Sequence, residues 1–529
     1  MSKPLPLLVL IVIDGFGISS QDKGNAIKKA KKPTFDMLFQ NYPWGLLNAS
    51  SMDVGVDFGE PGNSEVGHLG IGAGTVVYQN LPRIKMAIED KSFSKNKALL
   101  GAIAHAKKNK GRVHIVGLCS AGGVHAHIEH LESLLDMCKA EKCTNVAIHM
   151  ITDGRDTPAK VAEQYLTQTE KKLKQLGGGC IATVGGRFFG MDRDNNWSRI
   201  EKMYTAMAEG KGPTAPDAKT VITKGYKDGK NDENLDPTVI VDKDGAPLAA
   251  INDGDAVIFF NYREDRARQL TKAFVDKKFD GFKRAKSYKN LKFVTFVEYE
   301  KGLDADVAFP PQLIEEPLGK IIASAGKKQL RIAETEKYAH VTYFFNGGAE
   351  EEFPGEERVL IPSKKVESYA DKPEMSAKEI TDRVLKEIDR DRYAFILMNF
   401  ANPDMVGHTG EEKPTITAVQ VVDECLGKII EKVLSKEGVV VITADHGNAE
   451  QKVDPLSGKN SKEHTSNPVP LIVVDASRKR EKAREEVEAL LSAPQAIGIL
   501  ADVAPTICEL MGLKPAKAMT GRSLLKDLS

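Results

Sequence analysis

The 529-residue sequence carries no net charge, because 74 Lys and Arg balance 74 Asp and Glu. A broad basic face for nucleic acid is therefore not expected, although local clusters can still hold small anions. Cysteine is sparse and unpatterned. Cys119, Cys138, Cys143, Cys180, Cys425 and Cys508 form no CxxC pair and no even framework. They are expected as reduced, mostly buried thiols of a cytoplasmic protein. Long apolar runs are also missing. Leu5–Ile13, after Lys3, is too short to span a bilayer, contains Pro6 and lacks a small-x-small cleavage pattern. It is expected as a buried first strand rather than a signal or an anchor, and no other stretch suits a membrane helix. Gly70, Gly72 and Gly74 make a GxGxG without the following acid of a dinucleotide fingerprint, so NAD is discounted. No internal repeat is obvious.

What remains is an ordinary soluble mix, 41% hydrophobic and 28% charged, in a chain long enough for two domains. Leu7–Ile13 is a continuous apolar, β-branched run of the kind buried on both faces of a parallel sheet, and it ends in Asp14. Pro33–Gln40 is expected as a short helix. Leu69–Val77 suits either helix or strand. The polar stretch Gln79–Arg83 marks a crossing between domains. Beyond it, Arg112–Gly117, Asn145–Ile151, Cys180–Val184 and Ala256–Phe260 are expected strands, and Ile128–Ala140 a helix. Three of these strands end in arginine-bearing turns, with Arg155, Arg187, Arg263 and Arg266, a pattern that suggests a shared anion pocket. Residues 209–254 are expected as an exposed, loop-heavy excursion with little of the chemistry, and Gly347–Glu357 likewise. Arg478–Leu491 is expected as a charged helix with an apolar stripe on the sheet. Tyr393–Phe400 and Gly438–Thr443 complete the buried strands.

Ser64 sits in the glycine-flanked turn Gly62-Asn63-Ser64-Glu65-Val66-Gly67-His68. Alone, it reads as an ordinary turn serine. Its weight comes from three strong strands that run into acids: Asp14, Asp404 and Asp445. Asp404 and His408 are spaced i,i+4, so one helical turn places both on one face. Asp445 and His446 can both reach a site if the backbone bends at Gly447. His464 adds a third imidazole. Carboxylates with imidazoles suit Mn²⁺ or Zn²⁺. Three carboxylates and a deprotonated Ser64 would balance two divalent cations, and such cations would lower the serine pKa.

These residues resemble the 2,3-bisphosphoglycerate-independent (cofactor-independent) phosphoglycerate mutases, of the alkaline phosphatase superfamily. The resemblance covers nearly the whole chain. It rests on Ile13–Gly17, Gly62–His68, Gly122–His125, Asp153–Thr157, Gly186-Arg187 with Met191–Asp194, Arg263–Arg266, Ala333–Tyr338, Asn402–Asp404 with His408, Ala444–Gly447 and His464-Thr465. It implies an α/β fold: an alkaline-phosphatase-like doubly wound sheet domain, residues 1–78 and 313–529, with a second α/β domain, 79–312, inserted. It implies one ion on Asp404, His408 and His464, and another on Asp14, Ser64, Asp445 and His446. Mn²⁺ is expected first, with Mg²⁺, Co²⁺ or Zn²⁺ as alternatives. The implied substrate residues are His125, Arg155, Asp156, Arg187, Arg193, Arg263, Arg266 and Lys337. The implied reaction interconverts 3-phosphoglycerate and 2-phosphoglycerate, in glycolysis and gluconeogenesis, through phosphoserine at Ser64. Lys337 assists the transfer, and Asp156 is the acid/base for the substrate hydroxyls, kept ionised by the adjacent Arg155. A monomer acting on a small molecule, with no nucleic acid or membrane partner, is expected. Two departures stand out: Phe188-Phe189-Gly190, and Glu264 after Arg263, where the acid could weaken the positive field. A metal-dependent phosphomonoesterase, or another phosphomutase on the same core, is the rival reading. A non-catalytic metal- or anion-binding protein is a third.

Overall fold

The structure, a computed structural model, describes residues 7–528. Lys3, Leu5 and Pro6 of the opening run lie outside the described residues. The chain divides into two compact units, Met1–Pro82 with Gln312–Ser529 and Arg83–Pro311. Strands β1 (Leu8–Ile13) and β2 (Trp44–Asn48) belong to the first. The second contains β3 (Val113–Leu118), β4 (Val146–Thr152), β5 (Cys180–Gly186), β6 (Thr214–Ala215) and β7 (Thr238–Ile240). It continues with β8 (Ala256–Phe259), β9 (Lys292–Thr295) and β10 (Asp306–Val307). The first unit resumes with β11 (Gln329–Glu334), β12 (Glu356–Ile361), β13 (Phe395–Phe400), β14 (Val439–Thr443), β15 (Val469–Val474) and β16 (Ala496–Ile499).

The first unit's sheet has the order β12-β11-β13-β1-β14-β15-β2-β16. β1 lies parallel between β13 and β14, with Ile13 opposite Phe400 and Val12 opposite Thr443. All six β1 residues are buried. Successive side chains point to opposite faces, so both faces of the strand are covered. Burying six such side chains is worth on the order of 10 kcal/mol before conformational entropy is counted. β15 alone among the described strands of this sheet runs antiparallel to its neighbours, β14 and β2. The second unit's sheet has the order β10-β9-β8-β3-β4-β5-β7-β6. Its centre is parallel, with β3 between β4 and β8, and β7 pairs antiparallel with β5.

Several expectations need correction. Leu69–Val77 is resolved in favour of helix: Ser64–Ala73 is helical, and Gly74 ends it with φ 64°. The polar stretch Gln79–Arg83 contains the division between the two units, after Pro82, and it also opens the helix Asn80–Glu89, with Pro82 in the first turn, where its missing N–H is harmless. Residues 209–254 are not loop-heavy. They supply β6, β7, the helix Ala218–Lys227 and a 3₁₀ turn at Asp232–Asn234, and they bury Val221, Ile222, Leu235, Val239, Ile240 and Ile251. Their Gly-rich composition belongs to the short turns at Gly210, Gly229 and Gly245, all at positive φ. Gly347–Glu357 ends in a buried carboxylate, Glu356, which opens β12 and accepts from Asn346 Nδ2 at 2.9 Å. Arg478 closes a 3₁₀ turn, Ala476–Arg478, and the α-helix begins only at Arg484, because the Arg480 and Lys482 amides between them donate to Asn41 and Gln40 carbonyls at 2.9 and 2.8 Å. Only Val487 of that helix is buried. All six cysteines are free, five buried and Cys180 partly so. Among the described residues, no helix is long and apolar enough to cross a membrane.

Candidate active site

The carboxyl ends of β1, β13 and β14 lie side by side, and each delivers an acid just past its end. Asp14 follows β1 directly. Asp404 sits in the short helix Asn402–Gly407 after β13, and His408 follows as its C-cap. Asp445 and His446 follow β14. Gly15 takes φ 72°, and a β-carbon there would lie 2.8 Å from the Asp404 backbone, so only glycine turns the chain at this point. Gly447 does not supply a left-handed bend. It is required by space, since a β-carbon would collide with Thr465 and Glu450. Ser64 is the first residue of its ten-residue helix, capped by Asn63, whose side chain accepts from Val66 N at 3.1 Å. Exposed first-turn amides and the helix dipole favour negative charge there. Lys337 closes a 3₁₀ turn, Thr335–Lys337, at the end of β11.

The first unit thus brings together Asp14, Ser64, Lys337, Asp404, His408, Asp445, His446 and His464. Lys337 Nζ lies 2.6 Å from Asp14 Oδ1, 2.7 Å from Ser64 Oγ and 2.7 Å from Asp404 Oδ2, so all three donors are used. Ser64 Oγ is 3.2 Å from Asp14 Oδ1 and 3.0 Å from His446 Nε2. His408 Nδ1 donates to Lys462 O at 2.7 Å and His464 Nδ1 to Gly62 O at 2.9 Å. A carbonyl only accepts, so these contacts fix the tautomers, and in the neutral rings each Nε2 keeps a lone pair. The two Nε2 atoms face each other at 3.0 Å, at 3.2 and 3.3 Å from Asp404 Oδ1.

This arrangement fits divalent cations. Lone pairs converging on a carboxylate oxygen repel unless a proton or cation lies between them. Asp445 Oδ2 is buried and receives no well-aligned hydrogen bond, its nearest donor being His68 Nδ1 at 3.2 Å, which already donates to the Ser64 carbonyl. Three buried carboxylates face one ammonium, an excess of negative charge that a dry site tolerates only with further positive partners. Asp14, Asp445 and His446 offer ligand atoms within 4.8 Å of one another, and so do Asp404, His446 and His464. His408 joins the second set through its contacts with Asp404 and His464. Burial opposes ionisation of Asp404, but Lys337, His408 and His464 hold its carboxyl well below the usual range. Burial likewise opposes ionisation of Asp445, and His446 and His68 reverse it. Burial would depress His446, yet Asp445, Asp14 and Asp404 push it up to about 9. His408 is raised by its hydrogen bond to Asp404. Burial works against the Lys337 charge, and Asp14 and Asp404 raise its pKa regardless.

Supporting residues were not anticipated from sequence. Asn399 Nδ2 donates to Asp14 Oδ2 at 2.8 Å and contacts His68 Nε2 at 3.1 Å. His68 Nδ1 in turn donates to the Ser64 carbonyl at 2.9 Å. Asn448 Nδ2 donates to Asp404 Oδ1 at 2.9 Å, and buried Lys452 donates to Gly407 O at 2.9 Å. A polar Asn inside the apolar strand FILMNF was a usable signal for Asn399. The i+4 spacing from Ser64 was one for His68, and the place two residues after His446 was one for Asn448. Nothing in the sequence marks Lys452.

The second unit gathers the remaining candidates in the segments after β3, β4, β5 and β8. Buried Arg187 Nη1 donates to Asp153 Oδ1 at 2.7 Å and also to Asp156 Oδ2. Asp153 Oδ1 accepts the Arg155 and Asp156 amides at 3.1 and 3.0 Å, and Oδ2 accepts Ser120 Oγ at 2.6 Å. Asp265 faces Arg193 Nη1 at 3.1 Å, Arg263 Nε at 3.3 Å and His125 Nδ1 at 3.5 Å. Arg266 Nη1 donates to Met191 O at 3.0 Å, and its pKa is lowered by burial and by neighbouring Arg193 and Arg187. Burial, with Arg187 close by, takes His125 down to about 4, so it is neutral at pH 7. Two expectations change. The guanidinium paired with Asp156 belongs to Arg187, since Arg155 turns to Glu233 at 3.4 Å. The carboxylate that tempers the positive field is Asp265, whereas Glu264 is exposed. The arrangement offers partly exposed guanidiniums, at Arg155, Arg193 and Arg263, around a buried ionic frame. Such forks suit carboxylate and phosphate.

Comparison with known proteins agrees with both units. Residues 84–301 match the family described as BPG-independent PGAM N-terminus (iPGM_N), and residues 285–495 match type I phosphodiesterase / nucleotide pyrophosphatase. The 2,3-bisphosphoglycerate-independent phosphoglycerate mutase of Clostridium novyi (strain NT) is 51% identical, covering 98% of this chain and 99% of that one. The Moorella thermoacetica protein of the same name is 48% identical, covering 98% of each. A crystal structure of Leishmania mexicana phosphoglycerate mutase at low cobalt concentration aligns with a TM-score of 0.59 and 29% identity, over 98% of both chains. With a Ser64-centred cluster in one α/β unit, an arginine cluster in the other and half its residues shared with such relatives end to end, the chain belongs to the 2,3-bisphosphoglycerate-independent phosphoglycerate mutases, in the alkaline phosphatase superfamily.

Proposed function

We propose that this protein is an isomerase that interconverts 3-phosphoglycerate and 2-phosphoglycerate without added 2,3-bisphosphoglycerate. The observation that carries the reading is the setting of Ser64 Oγ, held by Lys337, Asp14 and His446 at the start of a helix. The first unit transfers the phosphoryl group and the second binds the glycerate. Two divalent cations, Mn²⁺ in our assignment, would be held by Asp404, His408 and His464 and by Asp14, Ser64, Asp445 and His446. When bound, they neutralise phosphoryl charge and favour the deprotonated serine.

The deprotonated Ser64 oxygen attacks phosphorus, and the bond from phosphorus to the glycerate oxygen breaks. The Asp156 carboxylate, paired with Arg187, takes the proton of the free glycerate hydroxyl and passes it to the departing oxygen. The oxygen so deprotonated then attacks phosphoserine and restores the deprotonated Ser64, so the protonation states balance over the cycle. Lys337 donates to the transferring oxygens and offsets their charge. Arg187 holds Asp156 in place. Arg155, Arg193, Arg263, Arg266 and His125 orient the glycerate, with the guanidiniums taking its carboxylate. Water must be kept from phosphoserine, because hydrolysis there would release free phosphate.

The enzyme acts as a cytoplasmic monomer in this reading, and six free thiols fit a reducing compartment. The test supplies 3-phosphoglycerate and Mn²⁺ with no bisphosphoglycerate, and follows 2-phosphoglycerate and free phosphate together. The expected result is 2-phosphoglycerate with little phosphate. The match to phosphodiesterases favours hydrolysis as the second reading, and phosphate released in step with substrate loss would establish it. No turnover of 3-phosphoglycerate would overturn both.

A further inference from the structure

Glu450 belongs to neither ligand set, yet its side chain is fully buried. Its Oε2 accepts the Gly17 amide at 3.1 Å and the Asn448 amide at 2.9 Å. Its Oε1 accepts Asn467 Nδ2 at 2.9 Å and the Thr465 hydroxyl. The four donors come from three separate loops. Gly17 lies three residues after Asp14, Asn448 two after His446, and Thr465 directly after His464. The loops approach so closely that a β-carbon at Gly17 or Gly447 would collide with the Glu450 carboxylate. Thr465 N also donates to Gly447 O at 3.0 Å, so the second and third loops are joined twice.

We propose that Glu450 is a positioning residue for the metal centre: its carboxylate sets the spacing of Asp14, of Asp445 with His446, and of His464, and so sets the affinity for divalent cations. The proposal rests on the metal assignment made under the proposed function. Its chemistry demands a carboxylate. Two oxygens accept two donors each, whereas a glutamine amide has a single acceptor oxygen and turns its own N–H groups toward the other pair. Glu450→Gln therefore releases either the Gly17 and Asn448 amides or the Thr465 and Asn467 side chains. In each case a ligand-bearing loop loses its anchor, and ligand geometry loosens.

A merely structural role would lower thermal stability and leave cation affinity alone. The test titrates the full-length protein with Mn²⁺, reading free Mn²⁺ by its electron paramagnetic resonance signal, for wild type, Glu450→Gln and Thr465→Val. Thermal unfolding and the KM for 3-phosphoglycerate at saturating Mn²⁺ are measured alongside. Glu450→Gln is expected to weaken Mn²⁺ binding by about 10–100-fold. Thr465→Val, which removes one donor at nearly constant shape, is expected to weaken it by a smaller factor. Both should regain kcat as Mn²⁺ is raised, with KM unchanged. Wild-type Mn²⁺ affinity in Glu450→Gln, with or without a lower Tm, overturns the proposal. If Glu450→Gln does not fold, an unchanged affinity in Thr465→Val overturns it. A wild-type protein that binds no Mn²⁺ overturns the metal assignment and this proposal with it, a failure distinct from the others.

Discussion

In the first unit His408 and His446 face carboxylates, and both hold a proton more tightly than free imidazole. Asp404 raises His408 through its hydrogen bond, and His446, against its own burial, reaches about 9. In the second unit His114, His125, His130 and His149 are buried, unlike the partly exposed His408, and all four are depressed, His125 to about 4 and His130 to about 3, by burial first; burial likewise takes His340 of the first unit to about 4. His446 and His149 are each fully buried, so burial does not account for the difference. Their neighbours do. His149 touches another imidazole, His114, at 2.9 Å, and Thr183 Oγ1 at 2.9 Å. Around His446, three strand ends converge as carboxylates. One unit is built to attract positive charge, and the other presents it at Arg155, Arg193 and Arg263.

The largest expected effect separates the units most sharply. Ser64→Ala should lower mutase turnover on the order of 10⁴-fold with the circular dichroism spectrum unchanged, and appreciable residual turnover would remove Ser64 as nucleophile. Chelation comes next: activity should fall to baseline and return with Mn²⁺, and activity that survives a chelator would sink the metal assignment. Arg187→Ala strands Asp153 and Asp156 beside a missing cation. Denaturant titration should show a loss of about 3–5 kcal/mol. A loss under about 1 kcal/mol would mean that the ionic frame holds without it.

The histidines predict opposite responses to pH. For His114, His125, His130 and His149 the unfolded state binds more protons below about pH 6.5, because the folded values lie lower. Their contribution to stability falls as pH drops below about 6.5, by about 1.4 kcal/mol per pH unit for His125 and for His130 down toward their folded values near 4 and 3. His446, in chelator, has the reverse sign: its contribution is complete below about 6.5 and is lost as pH rises through about 9. Hydrogen exchange of the β3, β4 and β5 amides at pH 7 and pH 5 checks the first claim, and equal protection at both would break the comparison. The smallest effect is expected for Arg155→Ala. Its guanidinium is largely exposed and, among the described residues, pairs with Glu233 alone, so stability should change by less than about 0.5 kcal/mol while the KM for 3-phosphoglycerate rises. An unchanged KM would remove Arg155 from the binding set.

Much of the candidate metal centre was legible because its signals are local. Continuous apolar runs such as LVLIVI and VVVIT mark doubly buried strands, and the acid that follows each is one residue or two away. The i,i+4 pair of Asp404 and His408 needs only one helical turn. The arginine frame was less legible. Arg155 stands beside Asp156 in the chain, yet Arg187, 31 residues on, takes the contact, and Glu233, 78 residues from Arg155, draws that side chain away. Residues 209–254 misled because glycine and aspartate in their turns outweigh the short apolar stretches that form β6 and β7.

From sequence alone, this protein's strand ends, its candidate nucleophile and the chemical class of its ligands were determined, because each follows from burial pattern, spacing and side-chain chemistry within a few residues. Only the tertiary structure decided which charges meet. Hydrogen-bond partners such as Glu450 with Gly17, or Lys337 with Asp14, lie hundreds of residues apart. Coulomb energy depends on distance in space, and chain separation carries no record of it.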